Sequence, residues 1–380
     1  MKKFIQIHTL TAYPLGNPNR DDLGRPKSAI FGGAPRLRIS SQSYKRALRT
    51  STVFQDALSG NMGLRTKRIG ELVHAALISD GVDAAEAINI TTAVAGIFGK
   101  TEAASQTAKT DETKGKKAGK KTIDLVNDMK AFHTRQLAFV SNEEVNYAID
   151  LARKIAAGEK ISEKELHSTV LRSADGAVDI ALFGRMLANS PAYNREAALQ
   201  VAHLITTHRA IIEDDYFTAI DDLQRPSDEE GQGAAHMDEG AFGSGVFYGY
   251  FCLDTDLLIE NLDGDAELAE RAVAALVEGV ATVTPSGKKA AFAHQAQASY
   301  VLLECGDRQP RSLASAFMQP IGGTDHIAAS IEAIASRRAA FERSYGPNAD
   351  VTMILDTTRA DGATLAQLVE AAVSPVPADA

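Results

Sequence analysis

Hydrophobic and polar residues repeat along the chain with two different spacings. One is typical of strands and the other of helices. Segments rich in alternating, β-branched or aromatic residues predict strands at 3–10, 36–39, 178–186, 200–208, 246–253 and 298–304. The segment 200–208 also fits a helix. Its β-branched residues favour a strand, because such side chains pack well on a pleated surface.

Apolar residues that recur every three or four positions predict helices elsewhere. These helices lie at 42–58, 64–78, 83–98, from 265 to about 280, at about 324–344 and at 362–373. Two more begin at capping boxes, Ser141 with Glu144 and Ser162 with Glu165, where each side chain accepts from the other residue's backbone N–H. Residues 11–34 carry several prolines and glycines, so we expect a long irregular loop there.

This order of elements predicts an α+β protein. Strands lie at the start, middle and end of the chain, and a helical block at about 60–175 interrupts them. The order is compatible with a ferredoxin-like sheet that carries two large insertions.

The most informative stretch is residues 31–49, where a turn, a short strand and a helix follow one another directly. Ser40 or Ser41 is a suitable N-cap for the helix. Four polar residues then share one helix face, at spacings i, i+3, i+4 and i+7: Gln42, Lys45, Arg46 and Arg49. Cations near the start of a helix oppose its macrodipole, which makes sense if a phosphate docks there. An ordinary solvated basic face explains the same spacing equally well.

Composition and charge narrow the class of protein. The chain is 44% hydrophobic and 23% charged, and no apolar run reaches the ~18 residues of a membrane span. Cys252 and Cys305 lack a metal-binding spacing, so we expect a cytoplasmic protein without a secretion signal. The net charge is −9, yet residues 1–50 hold ten Lys and Arg against two Asp, and residues 213–239 hold ten Asp and Glu against one Arg. Such separated charges suit an anionic ligand, or contacts between copies.

A second basic feature is the lysine run at 114–121, which packs five lysines into eight residues. Such a segment cannot be buried, and it is typical either of a solvated linker or of a flexible arm that binds phosphate. The sequence by itself favours the linker.

Common catalytic and cofactor motifs are missing from the sequence. The run 96–101 lacks the four residues that separate the glycines of a P-loop, and 243–249 has one residue too many for a dinucleotide fingerprint. His203 and His208 are too far apart to share a metal ion. Acidic pairs such as Asp21-Asp22 can bind a divalent ion but are usually solvated. We therefore expect neither a metal nor a cofactor.

Several motifs closely resemble the CRISPR RNA-binding backbone subunit of the type I-E CRISPR surveillance complex, Cascade. The matching residues are 19–22, 29–33, 38–47, 178–186, 205–208, 217–223 and 244–248. They occur in order, and the longer ones, such as Arg-Ile-Ser-Ser-Gln-Ser at 38–43, are specific. The helical block at 60–175 and the residues beyond 305 match only loosely.

The resemblance implies an RNA-recognition-type palm with a helical fingers insertion and a β-hairpin thumb. On this chain the palm would comprise 1–59, 176–199 and 245–380 with the C-terminal helices, the fingers 60–175, and the thumb 200–244. In the family, copies stack head to tail into a helical filament along CRISPR RNA. The separated basic and acidic segments would permit such an open interface.

The resemblance also assigns residues to nucleic acid. The family's palm holds the RNA backbone, and the matching residues are Arg20, Lys27, Ser40, Gln42, Lys45, Arg46 and Arg49. Met186 matches a residue that packs against bases, and Phe217 with Thr218 matches the thumb that displaces a base at regular intervals. Finger lysines grip target DNA in the family, and the candidates by location are Lys116, Lys117, Lys120 and Lys121. The chain departs from the family pattern at Ala34-Pro35, where relatives can carry a basic residue.

The function implied by this resemblance is non-catalytic. The chain would polymerise along CRISPR RNA and leave the base edges free to pair with target DNA in antiviral interference. Expected partners are CRISPR RNA, target DNA through the guide, further copies of the chain and other Cascade subunits, without a membrane. Two alternatives stay open. One is a metal-dependent ribonuclease of a related CRISPR effector type that uses a loop aspartate, Asp21 or Asp22; the other is a scaffold whose basic face binds a neighbouring copy's acidic segment.

Overall fold

The computed structural model describes residues 4–102, 129–187, 190–219 and 236–374. They belong to two compact units. We call residues 1–57, 199–256 and 270–379 the sheet unit, and residues 58–198 and 257–269 the helical unit. The division into palm, fingers and thumb stays a prediction.

The described strands and helices have the following bounds. The strands are β1 (Phe4–Gly16), β2 (Ser28–Phe31), β3 (Ala34–Ile39), β4 (Leu64–Thr66), β5 (Ala138–Val140), β6 (Leu199–Val201), β7 (Leu204–Thr206), β8 (Glu213–Ala219), β9 (His236–Asp254), β10 (Ala298–Gly306) and β11 (Val351–Asp356). The helices are α1 (Ser41–Arg49), α2 (Thr52–Ala57), α3 (Ile69–Ser79), α4 (Ala84–Phe98), α5 (Asn142–Ala156), α6 (Glu163–Val170), α7 (Val178–Phe183), α8 (Thr255–Asn261), α9 (Ala266–Thr282), α10 (Lys289–Phe292), α11 (His326–Tyr345) and α12 (Leu365–Val373). None of the described helices is long and apolar enough to cross a membrane.

An antiparallel sheet forms the centre of the sheet unit. Its strands lie in the order β11-β10-β1-β9-β7-β3-β2, and β6 and β8 also pair with β9. Along the chain, β1, α1, β7, β9, α9 and β10 follow a βαββαβ order, and their strands lie side by side as β10-β1-β9-β7. This is the ferredoxin-like arrangement, and it confirms the predicted α+β fold class.

Helices cover the sheet on both faces. On one face, Leu10 and Tyr248 belong to a buried cluster that also includes Ile334 of α11. Phe251 lies three residues after Tyr248 and therefore on the other face, where its ring is 5.3 Å from that of Tyr44 in α1. The Tyr44 hydroxyl donates to the backbone oxygen of Val280 in α9, 3.1 Å away. The start of α1 is therefore fixed by the core beneath it.

A buried carboxylate, Glu304 of β10, links three basic side chains in the sheet unit. It accepts from Arg311 at 2.7 Å and from Arg338 at 2.8 Å, and His8 Nε2 lies 3.4 Å away. Burial by itself raises the pKa of Glu304, but hydrogen bonds from His8, Arg311 and Arg338 outweigh it and lower that pKa well below the ordinary value. Burial lowers the pKa of His8, so its ring is neutral near pH 7.

Two buried ion pairs stabilise the helical unit. Arg185 donates to Glu144 at 2.5 Å, and Arg195 donates to Asp175 at 2.8 Å, with all four side chains almost fully buried. Glu144 also forms the capping box with Ser141 at the start of α5, which the sequence predicted. Apolar residues of α3, α4 and α5 form one continuous core in this unit.

The strand predicted at 178–186 is wrong, because Val178–Phe183 forms helix α7. This run is almost entirely buried, so its hydrophobicity has no period that separates helix from strand. Hydrogen bonds to residues that are distant in the sequence make this segment a helix. The Val178 N–H donates to the backbone oxygen of Asn61, and the Asp179 carboxylate accepts from the N–H of Gly63. Gly184, with φ of 76°, then ends the helix.

Several element boundaries also differ from the predictions. Strand β1 continues to Gly16, and β2 occupies Ser28–Phe31, so the irregular loop is shorter than expected. The helix predicted at 42–58 is two helices, and the one at 64–78 is preceded by the short strand β4. The prediction omitted β11, a partly exposed strand at the edge of the sheet.

Candidate nucleic-acid interface

Ser40 forms the corner between β3 and α1. Its backbone is extended, with φ of −70° and ψ of 145°, and its hydroxyl accepts from the N–H of Ser43 at 3.3 Å. Its carbonyl accepts from the N–H of Tyr44 at 3.1 Å. Ser40 is therefore the N-cap of α1, as the sequence indicated, and Ser41 is the first helical residue.

A loop at residues 17–27 is attached to this corner. The side-chain oxygen of Asn19 accepts from the Ser40 N–H at 2.8 Å, and its backbone oxygen accepts from the Lys27 N–H at 2.8 Å. Asn17 also holds the loop in place, because its buried amide donates to the backbone oxygens of Gly24 and Ala241. The fold thus brings Arg20 and Lys27 to the same corner as Ser40.

Helix α1 presents the predicted polar face. Tyr44, Ala47 and Leu48 are buried, whereas Gln42 and Arg46 are exposed. Lys45 and Arg49 are half-buried on the same face. Burial lowers the pKa of Lys45, because its ammonium loses part of its hydration. An anion near Lys45 would offset part of that loss.

The sequence analysis overlooked two residues at the corner, Arg38 and His203. Arg38 Nη1 lies 3.2 Å from His203 Nδ1, and the Ser41 N–H donates to the same nitrogen at 3.3 Å. Two donors facing one nitrogen require it to accept, so the proton of the neutral ring sits on Nε2. Burial and the charges of Arg38 and Lys27 lower the pKa of His203 and favour this neutral form.

The sequence contained a signal for one of these two residues but not for the other. Arg38 lies inside the matched motif at 38–47 and could have been included. His203 gave no local signal, because it reaches the corner through the pairing of β7 with β3, from about 160 residues further along the chain.

The two arginines of β3, Arg36 and Arg38, have different roles. It lies two residues before Arg38 in β3 yet is fully buried, and it donates to the backbone oxygens of Thr206 at 2.9 Å and Phe317 at 2.8 Å. These bonds hold β3 against neighbouring segments. Arg36 is therefore structural, whereas Arg38 is half-exposed at the corner.

The loop aspartate Asp21 closes a turn. Its Oδ1 accepts from the N–H groups of Leu23 and Arg25, both at 2.9 Å, and Gly24 has the positive φ of 81° that the turn needs. Across the described ranges, no cluster of three or more His, Cys, Asp or Glu side chains could hold a metal ion. Asp21 therefore makes the contacts of a turn residue.

The remaining predicted residues lie elsewhere. Met186 belongs to the helical unit, where its side chain is 80% exposed. Phe217 and Thr218 lie in β8, opposite Asp238 and Met237 of β9 in a hairpin-like pair of strands. The four lysines of the predicted DNA site, at 116, 117, 120 and 121, lie outside the described residues.

Strand β8 also carries part of the acidic segment. Glu213, Asp214 and Asp215 are exposed, and Asp214 pairs with Arg25 of the loop at 2.8 Å. Both partners of this pair are largely solvated, so the bond contributes about 1 kcal/mol or less. One contact between the acidic and basic segments is therefore made within a single copy.

The sequence matches a known family along almost its whole length. A profile of the family described as CT1975-like protein, Cas_CT1975, matches residues 5–374. The chain belongs to this family. No curated protein matches the chain in sequence.

Solved structures similar to this CT1975-like protein come from CRISPR complexes. A chain of a CRISPR RNA-guided surveillance complex in a pre-nicking state is 27% identical, with a TM-score of 0.80, and the match covers 98% of this chain and 100% of that one. A chain of another CRISPR RNA-guided surveillance complex is 24% identical with a TM-score of 0.68, covering 98% and 99%, and supports the fold alone. Together with the family, the first match identifies a Cascade-type CRISPR subunit.

Proposed function

We propose that this CT1975-like protein is the non-catalytic backbone subunit of a type I-E complex. Copies of it polymerise along CRISPR RNA and hold the RNA by its phosphates. The base edges then face outward to pair with target DNA, so the guide reads the sequence and the protein does not.

The observation that carries this proposal is the corner at Ser40. A helix N-terminus, a capping hydroxyl and a loop bound to the corner through Asn19 meet at one place. Seven basic or polar donors lie on these elements: Arg20 and Lys27 on the loop, Arg38 on β3, and Gln42, Lys45, Arg46 and Arg49 on α1, with Arg46 and Arg49 in its last turn. Backbone N–H groups and fixed cations are the groups that bind phosphate without regard to base identity.

The electrostatics also favour a chain of phosphates over a single ion. The cations of α1 run from Lys45 to Arg49, and Arg20 and Lys27 lie on the loop that Asn19 joins to the start of the helix. A polyanion can satisfy such a stripe with successive charges. Each phosphate neutralised on a single strand should add about 0.7 to the slope of log affinity against log salt concentration.

Polymerisation is supported by the charge asymmetry of the chain. The basic corner and the acidic strand β8 lie on different elements of the sheet unit, and Arg25 pairs with Asp214 between them. A surface that is basic in one place and acidic in another can bind copies of itself in an open series.

The test is charge reversal at an exposed position of the polar face of α1. Arg46→Glu should lower the amount of RNA that co-purifies with the assembled complex and should reduce the salt dependence of RNA retention. Unchanged retention would overturn the proposal.

The matched control is Arg343→Glu. Arg343, like Arg46, is an exposed cation in the last turn of a helix, α11, so reversal costs both helices a similar dipole interaction of about 1 kcal/mol or less. Arg343→Glu should leave RNA retention unchanged.

The scaffold alternative makes a different prediction for the same variant. If the basic face binds a neighbour's acidic segment, reversal of Glu213 and Asp215 to Lys should restore assembly to Arg46→Glu. If the face binds RNA, the acidic-segment variants will not restore retention.

A further inference from the structure

A cavity of about 480 Å³ lies at one end of the strands β10 and β11 in the sheet unit. It is lined by the segment that follows β10, by the last turn of α11 and by the segment that precedes β11. A volume of this size is typical of ligand-binding cavities. The lining includes Arg308, Gln309, Arg311, Phe341, Tyr345 and Asn348.

Asn348 holds two walls of the cavity together. Its side-chain amide donates to the backbone oxygen of Gln309 at 3.0 Å, and its side-chain oxygen accepts from Arg311 at 2.7 Å. Arg311 is in turn bound to the buried carboxylate of Glu304. These bonds join the segment after β10 to the segment before β11. The cavity is therefore preformed, which lowers the entropy cost of binding there.

Helix α11 supplies an aromatic wall. Phe341 and Tyr345 are four residues apart on one face of the helix, and their ring centres lie 6.1 Å apart. Phe341 packs against the buried cluster that contains Tyr248, whereas Tyr345 is 79% exposed. A tyrosine ring that is fixed at one end of a helix and open to solvent offers a large apolar surface to a ligand.

Arg308 adds a positive charge to the cavity. Its side chain is exposed, and among the residues that the structure describes it forms no ion pair. Arg311, the other cation of the lining, is already paired with Glu304. The cavity therefore suits a mostly apolar ligand that carries a negative charge beside Arg308.

We propose that this cavity binds residues 375–379 of the same chain, Pro-Val-Pro-Ala-Asp. The two prolines pack against the ring of Tyr345, and the carboxylate of Asp379 pairs with Arg308. This segment lies outside the described residues and directly follows Ser374, the last of them. The contact does not require nucleic acid, so it stands or falls independently of the proposed function.

The composition of the segment matches the lining. Proline fixes its own φ and restricts the residue before it, so two prolines separated by one residue favour an extended conformation that loses little entropy on binding. Proline-rich segments of this kind bind to surfaces lined by aromatic side chains. Asp379 is the only charged residue in 375–380, and its charge is opposite to that of Arg308.

Helix α12 brings the segment to the strands that border the cavity. This helix packs against β10 and β11, with Leu368 and Ala372 buried. Just before it, the N–H of Ala363 donates to the backbone oxygen of Ile354 in β11 at 2.9 Å. Strand β11 is about 20 Å long, and an extended segment of five residues spans about 17 Å. The segment therefore has the length to pass from this helix to the end of the strands.

Disulfide trapping in the full-length chain tests the proposal. Gln309→Cys is combined with Ala378→Cys, and the matched control combines Ser336→Cys with Ala378→Cys. Ser336 is an exposed residue of α11 that does not line the cavity. The two native cysteines, Cys252 and Cys305, are buried. After mild oxidation, non-reducing gels separate bonds within one copy from bonds between copies, and mass spectrometry identifies the joined peptides.

We expect about tenfold more bond between positions 309 and 378 than between 336 and 378, within one copy, because a disulfide needs Cα atoms within about 7 Å of each other. Equal amounts of the two bonds would overturn the proposal. A bond between 309 and 378 that joins two copies would also overturn it, because the occupant would then be the segment of a neighbouring copy.

Charge exchange provides a second readout on the same trapped pair. Arg308→Glu should lower the yield of the bond between 309 and 378 by about threefold, since both charges are partly solvated, and adding Asp379→Lys should restore it. The control is Arg337→Glu, which reverses an exposed cation of α11 outside the lining and should leave the yield unchanged. If Arg308→Glu behaves like this control, or if Asp379→Lys does not restore the yield, the pairing of Asp379 with Arg308 is wrong.

Discussion

The side-chain oxygen of Asn19 accepts a hydrogen bond from the backbone N–H of Ser40, 2.8 Å away. This bond joins the loop at 17–27 to the residue that begins α1. The backbone oxygen of Asn19 accepts from Lys27 as well, so one residue fixes both sides of the loop against the corner. The positions of Arg20 and Lys27 relative to the helix therefore depend on Asn19.

Substitutions of Asn19 separate the geometry of the corner from its charge. Asn19→Ala removes the acceptor and leaves the half-buried Ser40 N–H unpaired, so it should lower the free energy of unfolding by about 1 kcal/mol. Asn19→Asp keeps an oxygen acceptor but adds a negative charge beside the proposed phosphate path. It should retain more stability than Asn19→Ala, yet lose RNA. Urea unfolding and RNA retention measure the two effects; if Asn19→Asp retains as much RNA as wild type, the electrostatic account of the corner is wrong.

Stability should fall in acid because of the Glu304 cluster. The folded-state pKa values of His8 and Glu304 both lie below their ordinary values of 6.5 and 4.5. The unfolded chain therefore binds more protons than the folded one as the pH falls, first at His8 below about pH 6.5 and then at Glu304 below about pH 4.5. For these groups the unfolding free energy should level off above about pH 7.5 and decline through both ranges as the pH falls.

Replacement of Glu304 checks the origin of that decline. Glu304→Gln leaves Arg311 and Arg338 without their buried counter-charge, and should cost about 3–5 kcal/mol at pH 7 with a weaker acid dependence. Glu342→Gln is the control, since this carboxylate pairs with Arg338 at 2.9 Å on the partly exposed side. It should change stability by less than about 1 kcal/mol. A similar acid profile in Glu304→Gln and wild type would contradict this explanation.

The two adjacent glutamates at the start of α5 should respond very differently to neutralisation. Glu144→Gln weakens the buried pair with Arg185, while Glu143→Gln alters an exposed side chain in the same helical turn. We expect Glu144→Gln to lower the unfolding free energy by about 3 kcal/mol or more, and Glu143→Gln by less than about 0.5 kcal/mol. Guanidinium unfolding measures both. Equal losses would show that the ion pair does not stabilise the helical unit.

The assembled complex should not cleave RNA matched to its guide. Asp21 accepts two backbone N–H groups in its turn, so we expect it to be structural. Incubation of matched RNA with Mg²⁺ tests this, with Asp21→Asn and Asp22→Asn as variants that keep an acceptor oxygen in the turn. Metal-dependent cleavage that either variant abolishes would establish the ribonuclease alternative.

Local features of this protein were readable in the sequence. The N-cap at Ser40, the polar face of α1 and the capping boxes at Ser141 and Ser162 depend on residues within one or two helical turns. Such features follow from hydrogen bonds and periodicities that act over a few residues. The amino-acid sequence therefore determined the N-cap and the polar face of the helix at which the function is proposed.

Tertiary structure decided what depends on partners far along the chain. The segment at 178–183 is a helix because residues 61 and 63 bind it, and His203 joins the corner because β7 pairs with β3. Likewise Arg36 is buried and Arg38 is half-exposed, although both lie in β3. The difference depends on which other segments of the chain cover each side chain. A pattern along the chain cannot report such contacts, because burial and pairing are set by residues that the pattern does not include.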